Sequence, residues 1–405
     1  MKKKSLLQFF SILLIFVLTI SYLPTSDVKA SVATPQTIVT VDNAVVDEMN
    51  KNGSATYWVD FKNEADLSSA YSMNWNDRGW YVYDTLKAQA EKSQADVKAY
   101  LMNAGLSFQS FWIKNTILVQ NSNKVVLSAL KYLPNVTAVR ATKTLIFYEP
   151  EKDLTTQAET QGIEPNISHI QAPDAWALGY TGRGITVSSI DTGVRYSHKA
   201  LVGKYRGNLG GGSFVHDYNW YDPYGEFTVP TDANGHGTHT MGTIVGNDGG
   251  PNQIGVAPDA NWIACRGCNT SNCTDEALLA CGQFIAAPTT ITGANPDPSK
   301  RPNVVNNSWG DCSQTYDILY QDMIDAWQAS GIYPVFSNGN SSNCGYSSPP
   351  GLNTVGNPAR YGNVTGVGSS GESNGQYATH SNWGPTDDPD TINPTGGFDT
   401  MKPQV

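Results

Sequence analysis

The sequence predicts an α/β protein: a doubly wound, mostly parallel sheet with helices on both faces, preceded by a small α+β domain of the ferredoxin-like kind. Three observations carry this. After residue 165, short apolar runs alternate with segments of helical period, the pattern of strands covered on both faces. From 31 to 160 the chain has no cysteine, and only Gly53, Gly79 and Gly105 break it up. Between the two regimes, Glu149 to Pro165 is polar, as a linker is.

In the first regime, Tyr57-Trp58-Val59-Asp60-Phe61 alternates like a strand. Val82, Leu86, Ala90, Val97 and Leu101 recur at near-helical spacing, and Gly105 follows as a stop. Phe111 to Val119 reads as a strand, Val125 to Leu133 as a helix closed by Pro134, and Val136 to Tyr148 as another strand. Leu106 to Ser110 leaves room for one more. The order β-α-β-α-β makes a small sandwich.

In the second regime, Ile185–Ile190, Trp262–Ala264, Val304–Asn306 and Ile332–Phe336 are strand candidates. Thr274 is placed to cap a helix running to Ala287, with Asp275 and Glu276 in its first turn. Asp317 to Gly331 reads as a second helix. Pro334 conflicts with a central strand, because it has no N–H to give to a ladder. In such sheets, active residues gather beyond the carboxyl ends of the strands.

Composition excludes several classes. The formal charge of the 405 residues is −10. Setting aside the first thirty, which hold Lys2, Lys3, Lys4 and Lys29 against Asp27, makes it more negative. That argues against a nucleic-acid partner, which would ask for a cationic face. A hydrophobic content of 40% and a mean hydropathy of −0.34 do not describe a multispan membrane protein.

The N-terminus has the design of an export signal. Lys2–Lys4 precede an apolar run from Leu6 to Leu23, and Val28-Lys29-Ala30 offers small residues for a cleavage site. The alternative, a single membrane anchor, fits the interrupted run and the cut site less well. A mature chain starting near Ser31 would be secreted, extracellular or cell-wall associated, and its six cysteines become disulfide candidates.

Four short motifs carry chemistry. Asp191-Thr192-Gly193 follows a strand, where an acid can be buried and aimed; alone, the triplet reads more readily as a turn. In Asn234-Gly235-His236-Gly237-Thr238-His239-Thr240-Met241-Gly242-Thr243, small residues surround a histidine at the head of a buried helix. A satisfied surface pair, or a zinc pair of His236 and His239, are the alternatives; zinc asks for a third ligand that is not nearby. Asn306-Asn307-Ser308-Trp309-Gly310 and Ser337-Asn338-Gly339-Asn340 each follow a strand. Asn340 can turn its amide into a cleft, or serve only as a turn residue.

Together and in this chain order, the four pieces resemble the subtilisin-like serine protease family, from about Ile167 to Val405. Residues 50–150 look like its inhibitory propeptide. Arg78-Gly79-Trp80-Tyr81-Val82-Tyr83-Asp84 is most similar to the bacillopeptidase F branch. The resemblance implies a signal peptide over 1–30, a propeptide over 31–160 and a catalytic domain over 161–405, incomplete at its C-terminus. It implies a secreted endopeptidase zymogen acting on protein and peptide substrates, with its own propeptide as a partner. No stable membrane anchor is expected in these residues. Asp191 would orient His236, His236 would be general base and then acid, and Asn340 would bind the oxyanion. Ser308, Trp309 and Gly310 would pair with the substrate backbone and line the primary pocket, with Ser337, Asn338 and Gly339 as the opposite wall. The bulk of Trp309 and Asn338 would narrow that pocket.

Two departures qualify the likeness. No cofactor is required for the chemistry, but the family's main calcium site is degraded: Ala200 replaces its aspartate and Gly249 its asparagine, with Asp248 adjacent. No Gly-Thr-Ser-Met-Ala-like motif occurs, so the nucleophilic serine is expected beyond Met401-Lys402-Pro403-Gln404-Val405 and the chain as given should be inactive. A secreted binding protein that kept only the cleft is the rival from another class. Among the cysteines, Cys312 and Cys344 each follow a cleft-forming strand and are the favoured pair. Cys265, Cys268, Cys273 and Cys281 would pair among themselves; a four-thiolate metal site is the alternative.

Overall fold

A computed structural model describes residues 39–149, 162–371, 376–386 and 402–403. The export signal, most of the linker and most of the C-terminal pentapeptide lie outside these residues.

The N-terminal part builds a five-stranded sheet. Its elements run β1 (Thr40–Val41), α1 (Asn43–Asn52), β2 (Ala55–Phe61), α2 (Trp75–Ser93), α3 (Ala95–Asn103), β3 (Phe108–Phe111), β4 (Thr116–Ser122), α4 (Lys124–Leu130) and β5 (Val136–Ala141). The order across the sheet is β1-β5-β2-β4-β3, antiparallel except for the β1–β5 pair. Helix α1 lacks a long apolar stripe. It is held by an Asp42 cap, whose carboxylate accepts from Ala44 N at 3.0 Å, and by burial of Val45 and Met49.

Three readings from sequence are corrected here. The helix expected over Val82–Leu101 is two helices, broken at the buried Gln94, whose amide donates to Phe111 O at 3.0 Å. The strand expected over Phe111–Val119 is a hairpin turning at Asn115, which adopts φ 54°. The strand expected over Val136–Tyr148 is two strands. Beyond β5 the chain leaves its own sheet, and β6 (Thr144–Phe147) joins the C-terminal part.

That part begins with two short helices, α5 (Pro165–His169) and α6 (Ala172–Ala177). It continues with β7 (Thr186–Asp191), a small β8 (Asn208–Gly210)–β9 (Ser213–Phe214) ribbon, β10 (Trp220–Tyr221) and α7 (His236–Val245). Next come β11 (Asn261–Arg266), β12 (Cys273–Thr274), α8 (Asp275–Ala286), β13 (Val304–Asn307) and β14 (Trp309–Gly310). Helix α9 (Gln321–Ala329), β15 (Tyr333–Ser337) and β16 (Thr365–Val367) close the order. The main sheet runs β10-β11-β7-β13-β15-β16 with every pair parallel.

Alternation along β11 shows why both faces are covered. Trp262 and Ala264 pack with Met241 and Val245 of α7. Ile263 and Cys265 pack with Leu278, Leu279 and Phe284 of α8 and Met323, Ile324 and Trp327 of α9. Thr274 caps α8, its hydroxyl accepting from Ala277 N. Pro334 is tolerated for a local reason. Tyr333 N donates to Asn303 O on the β13 side, so Pro334 turns its nitrogen toward β16, whose pairing begins only at Val335.

The N-terminal sheet presents Trp58, Phe111 and Leu118, with Val82, Leu86 and Ala90 of α2, to the face formed by α8 and α9, in one continuous core. Trp58 Nε1 and Lys143 N each donate to Asp275 Oδ2 at 2.7 Å. Arg78 donates to the carbonyls of Gln328 and Ala329 at the end of α9, both at 2.5 Å. Among the described residues, no helix is long and apolar enough to cross a membrane.

Candidate active site

The site lies at the carboxyl end of β7. Asp191 is the last residue of that strand and is 1% exposed. Gly193 takes φ +108°, and a Cβ on it would stand 1.9 Å from Thr231 O, so the turn admits only glycine. His236 opens α7, its N–H held by Asn234 Oδ1 at 3.0 Å. Gly237 lets the helix start touch the turn: a Cβ there would lie 2.1 Å from Gly193 O.

This close approach brings His236 Nδ1 to 2.7 Å from Asp191 Oδ1. The other Asp191 oxygen accepts from Thr240 Oγ1 at 3.3 Å. His236 Nε2 lies 2.9 Å from Tyr148 O. A carboxylate and a carbonyl can only accept, so the arrangement favours the protonated ring, which donates from both nitrogens. Burial alone would lower its pKa. The Asp191 carboxylate, with help from the Tyr148 carbonyl, outweighs burial and holds it above the ordinary 6.5. His239, one turn on, is shifted down by burial and by His236. With both His236 nitrogens engaged, neither is left for a metal. Among the described residues, no cluster of three or more His, Cys, Asp or Glu side chains is arranged to hold one.

Strand β6 enters this cleft as the middle of a three-stranded sheet, β12-β6-β14, antiparallel to both neighbours. Leu145 faces Cys273, Ile146 faces Gly310 and Phe147 faces Trp309. Tyr148 N then donates to Ser308 O at 3.0 Å. The Tyr148 side chain is 5% exposed, and its hydroxyl donates to Asp311 O at 2.8 Å. Burial pushes that phenol well above its usual pKa, so it stays neutral. Three glycines make room for it. A Cβ on Gly310 would lie 2.4 Å from the hydroxyl, on Gly356 3.0 Å from it, and on Gly339 2.9 Å from the ring. Asn340 Nδ2 donates to Glu149 O at 2.8 Å.

Most residues singled out from sequence therefore meet around two successive carbonyls, those of Tyr148 and Glu149. Trp309 does not wall the pocket with its ring, which packs on Tyr320 and Phe336 at 5.2 and 5.4 Å in the core; only its backbone faces the inserted strand. It narrows nothing. Asn338 is likewise turned away, its amide donating to Asn382 O at 3.4 Å. Ser337 ends β15, with its Oγ buried and unbonded. Ser308 Oγ accepts from Asn306 Nδ2 at 3.0 Å. Sequence reasoning missed Tyr148 as pocket occupant and Gly356 as a wall; the small residue at 356 carries no local signal for either.

The cysteines pair as Cys265–Cys281, Cys268–Cys273 and Cys312–Cys344. Cys273 lies in β12 and Cys312 two residues beyond β14, so each strand flanking β6 is tied by a bridge. At the stretch compared with a calcium site, Lys199 Nζ sits 3.2 Å from Asp248 Oδ2, and Ala200 offers only a methyl. An ammonium already on the carboxylate does not fit a bound cation.

Comparison with known proteins agrees with this geometry. Residues 182–396 match the model of the Subtilase family. The chain is 37% identical over 338 residues to bacillopeptidase F of Bacillus subtilis (strain 168), covering 80% of this chain and 22% of that protein. It is 32% identical over 250 residues to the minor extracellular protease Vpr of the same organism, covering 60% of this chain and 27% of Vpr. It is 33% identical over 226 residues to subtilisin DY of Bacillus licheniformis, covering 55% of this chain and 70% of that enzyme. The chain thus spans about a quarter of the length of the first two relatives.

Proposed function

The chain belongs to the subtilase family, and from that membership we propose that it is the zymogen portion of an exported serine endopeptidase. One observation carries the reading. Strand β6 lies in the cleft as an added substrate strand, with the Tyr148 carbonyl on His236 Nε2 and the Glu149 carbonyl on Asn340 Nδ2. The Tyr148 side chain in the primary pocket makes the bond between Tyr148 and Glu149 the one presented for cleavage, and Asn340 holds the carbonyl one residue beyond it. Residues up to Tyr148 act as propeptide, and Lys2–Ala30 as export signal.

In this reading, Asp191 fixes the imidazole's tautomer and offsets its charge. His236 takes the proton of a serine hydroxyl and returns it to the leaving amine. Asn340, which here holds the Glu149 carbonyl, would turn its amide to the tetrahedral oxygen formed at Tyr148, and removing such a donor costs on the order of 10²–10³ in turnover. None of the serines in these 405 residues is assigned as the nucleophile. Ser308 is committed to the substrate strand, and Ser341 N–H is bound to His380 O at 2.7 Å in a loop without a helix behind it. The chain as given is therefore inactive.

N-terminal sequencing of protein secreted from the intact gene tests the proposal. The expected mature terminus is Glu149, or a residue up to about 166 after trimming. A fully active product still beginning at Ser31 would overturn the zymogen reading.

A further inference from the structure

Asp232 lies four residues before His236, outside every role assigned so far, yet it gathers five hydrogen bonds. Its Oδ1 accepts from Thr192 Oγ1 at 2.9 Å, Asn234 N at 3.1 Å and Gly235 N at 2.8 Å. Its Oδ2 accepts from Thr238 N at 2.8 Å and Thr238 Oγ1 at 2.6 Å. Four of these five donors flank His236 in the chain. The fifth, Thr192, follows Asp191 directly. Thr192 is committed on every side: its N–H donates to Asp191 Oδ1 at 2.7 Å, and its hydroxyl oxygen accepts from Gly237 N at 3.0 Å. A closed ring of hydrogen bonds therefore runs from Asp191 through Thr192 and Asp232 to the head of α7, and back through the His236 imidazole.

We propose that Asp232 is the positioning residue of the Asp191–His236 pair, locking the turn after β7 to the start of α7 so that the imidazole meets the carboxylate at a fixed distance. It touches neither the imidazole nor the peptide in the cleft and is not a catalytic residue. The chemistry of the lock demands a carboxylate. Each oxygen accepts from at least one backbone N–H that cannot turn away: Asn234 N and Gly235 N on Oδ1, and Thr238 N on Oδ2. Asparagine would place an NH₂ against one set of them. A serine or threonine cap could serve the helix but could not also hold Thr192. The ordinary alternative is that Asp232 only caps α7, and the two differ in what happens at the ring.

This inference rests on reading Asp191 and His236 as the proton-transfer pair, and its test needs no activity. In the full 405-residue chain, the imidazole Nδ1 proton shared with Asp191 should give a downfield NMR resonance. Its absence from the parent chain would count against the pair itself, not against Asp232. Given that resonance, Asp232→Asn should broaden or abolish it; the His236 midpoint falls with loss of the Asp232 charge alone and does not discriminate. Asp191, Asp232 and His239 are the titratable groups contributing to that midpoint. Thr238→Val, which removes one capping hydroxyl and the acceptor of Arg195 N at 3.0 Å but leaves the Thr192 link, should lower the melting temperature and keep the resonance. If Asp232→Asn fails to fold, Asp232→Ser, which can cap the helix but cannot also hold Thr192, is the second variant, and the same loss is expected. A resonance unchanged in Asp232→Asn, or in Asp232→Ser, would reduce Asp232 to a helix cap and overturn the proposal.

Discussion

His236 Nε2 is 2.9 Å from the carbonyl oxygen of Tyr148, a residue 88 positions earlier in the chain. The imidazole thus spends one nitrogen on Asp191 and the other on the strand that fills its own cleft. A base whose second nitrogen is occupied cannot take a proton from an incoming hydroxyl. The contact that fills the cleft also keeps that nitrogen from any other partner.

The raised pKa of His236 has a consequence for stability. Its pKa in the folded chain stands above 6.5, so folding binds protons between 6.5 and the raised value. Its contribution is complete below 6.5 and is lost as pH rises through the folded pKa. His239 and His216 are shifted down by burial, so theirs is complete above 6.5 and is lost as pH falls through their folded pKa values. The histidine part of the profile therefore peaks near pH 6.5. Urea midpoints from pH 5.5 to 8.5 should show the peak. Asp191→Asn should remove the decline on its alkaline side, and an identical decline in that variant would locate it elsewhere.

The Tyr148 side chain should matter in two separable steps. Tyr148→Phe removes the donor to Asp311 O and should cost about 1 kcal/mol. Tyr148→Ala also empties the pocket between Gly310, Gly339 and Gly356, and should cost about 3–5 kcal/mol. Denaturant unfolding of the two variants distinguishes them. Equal losses would mean the ring contributes nothing by filling the pocket.

Gly79 is a point of close approach between the N-terminal part and the rest. A Cβ there would lie 2.2 Å from Arg301 Nη1. The guanidinium cannot move aside freely: it is stacked on Trp75 and donates to Pro298 O and Ser330 O, each at 2.8 Å. Gly79→Ala should destabilise the chain by about 1–3 kcal/mol. An unchanged unfolding midpoint would show that Arg301 has room to spare.

Non-reducing peptide mapping should recover Cys265–Cys281, Cys268–Cys273 and Cys312–Cys344 as three separate linked peptides. Replacing both Cys312 and Cys344 by serine opens a 32-residue loop and should cost about 3–4 kcal/mol. Free thiols at these two positions in secreted material would refute the pairing.

What the sequence could tell followed from how local each signal is. Thr274 ahead of Asp275 and Glu276 announced α8, because capping is decided within one turn. Asp191 and His236 were legible because their glycine neighbours are needed for a close approach that leaves a motif. Helix α1 was missed because Val45 and Met49 are all the apolar face it buries. The break between β5 and β6 was invisible because both strands are apolar, and only the sheet each joins separates them. Trp309 read as a pocket wall because its motif fixes the backbone, while its ring follows the core packing of Tyr320 and Phe336. Tyr148 in the pocket is a contact across 88 residues, and no window of sequence holds both partners.

Reaction with a fluorophosphonate serine probe tests the central claim most directly, applied side by side to the 405-residue chain and to the protein made from the intact gene. The account predicts no adduct on the 405-residue chain. It predicts one labelled serine in the intact product, lying outside these residues, with labelling lost in His236→Ala. An adduct on any serine among these 405 residues, or labelling of the intact product that survives His236→Ala, would contradict it.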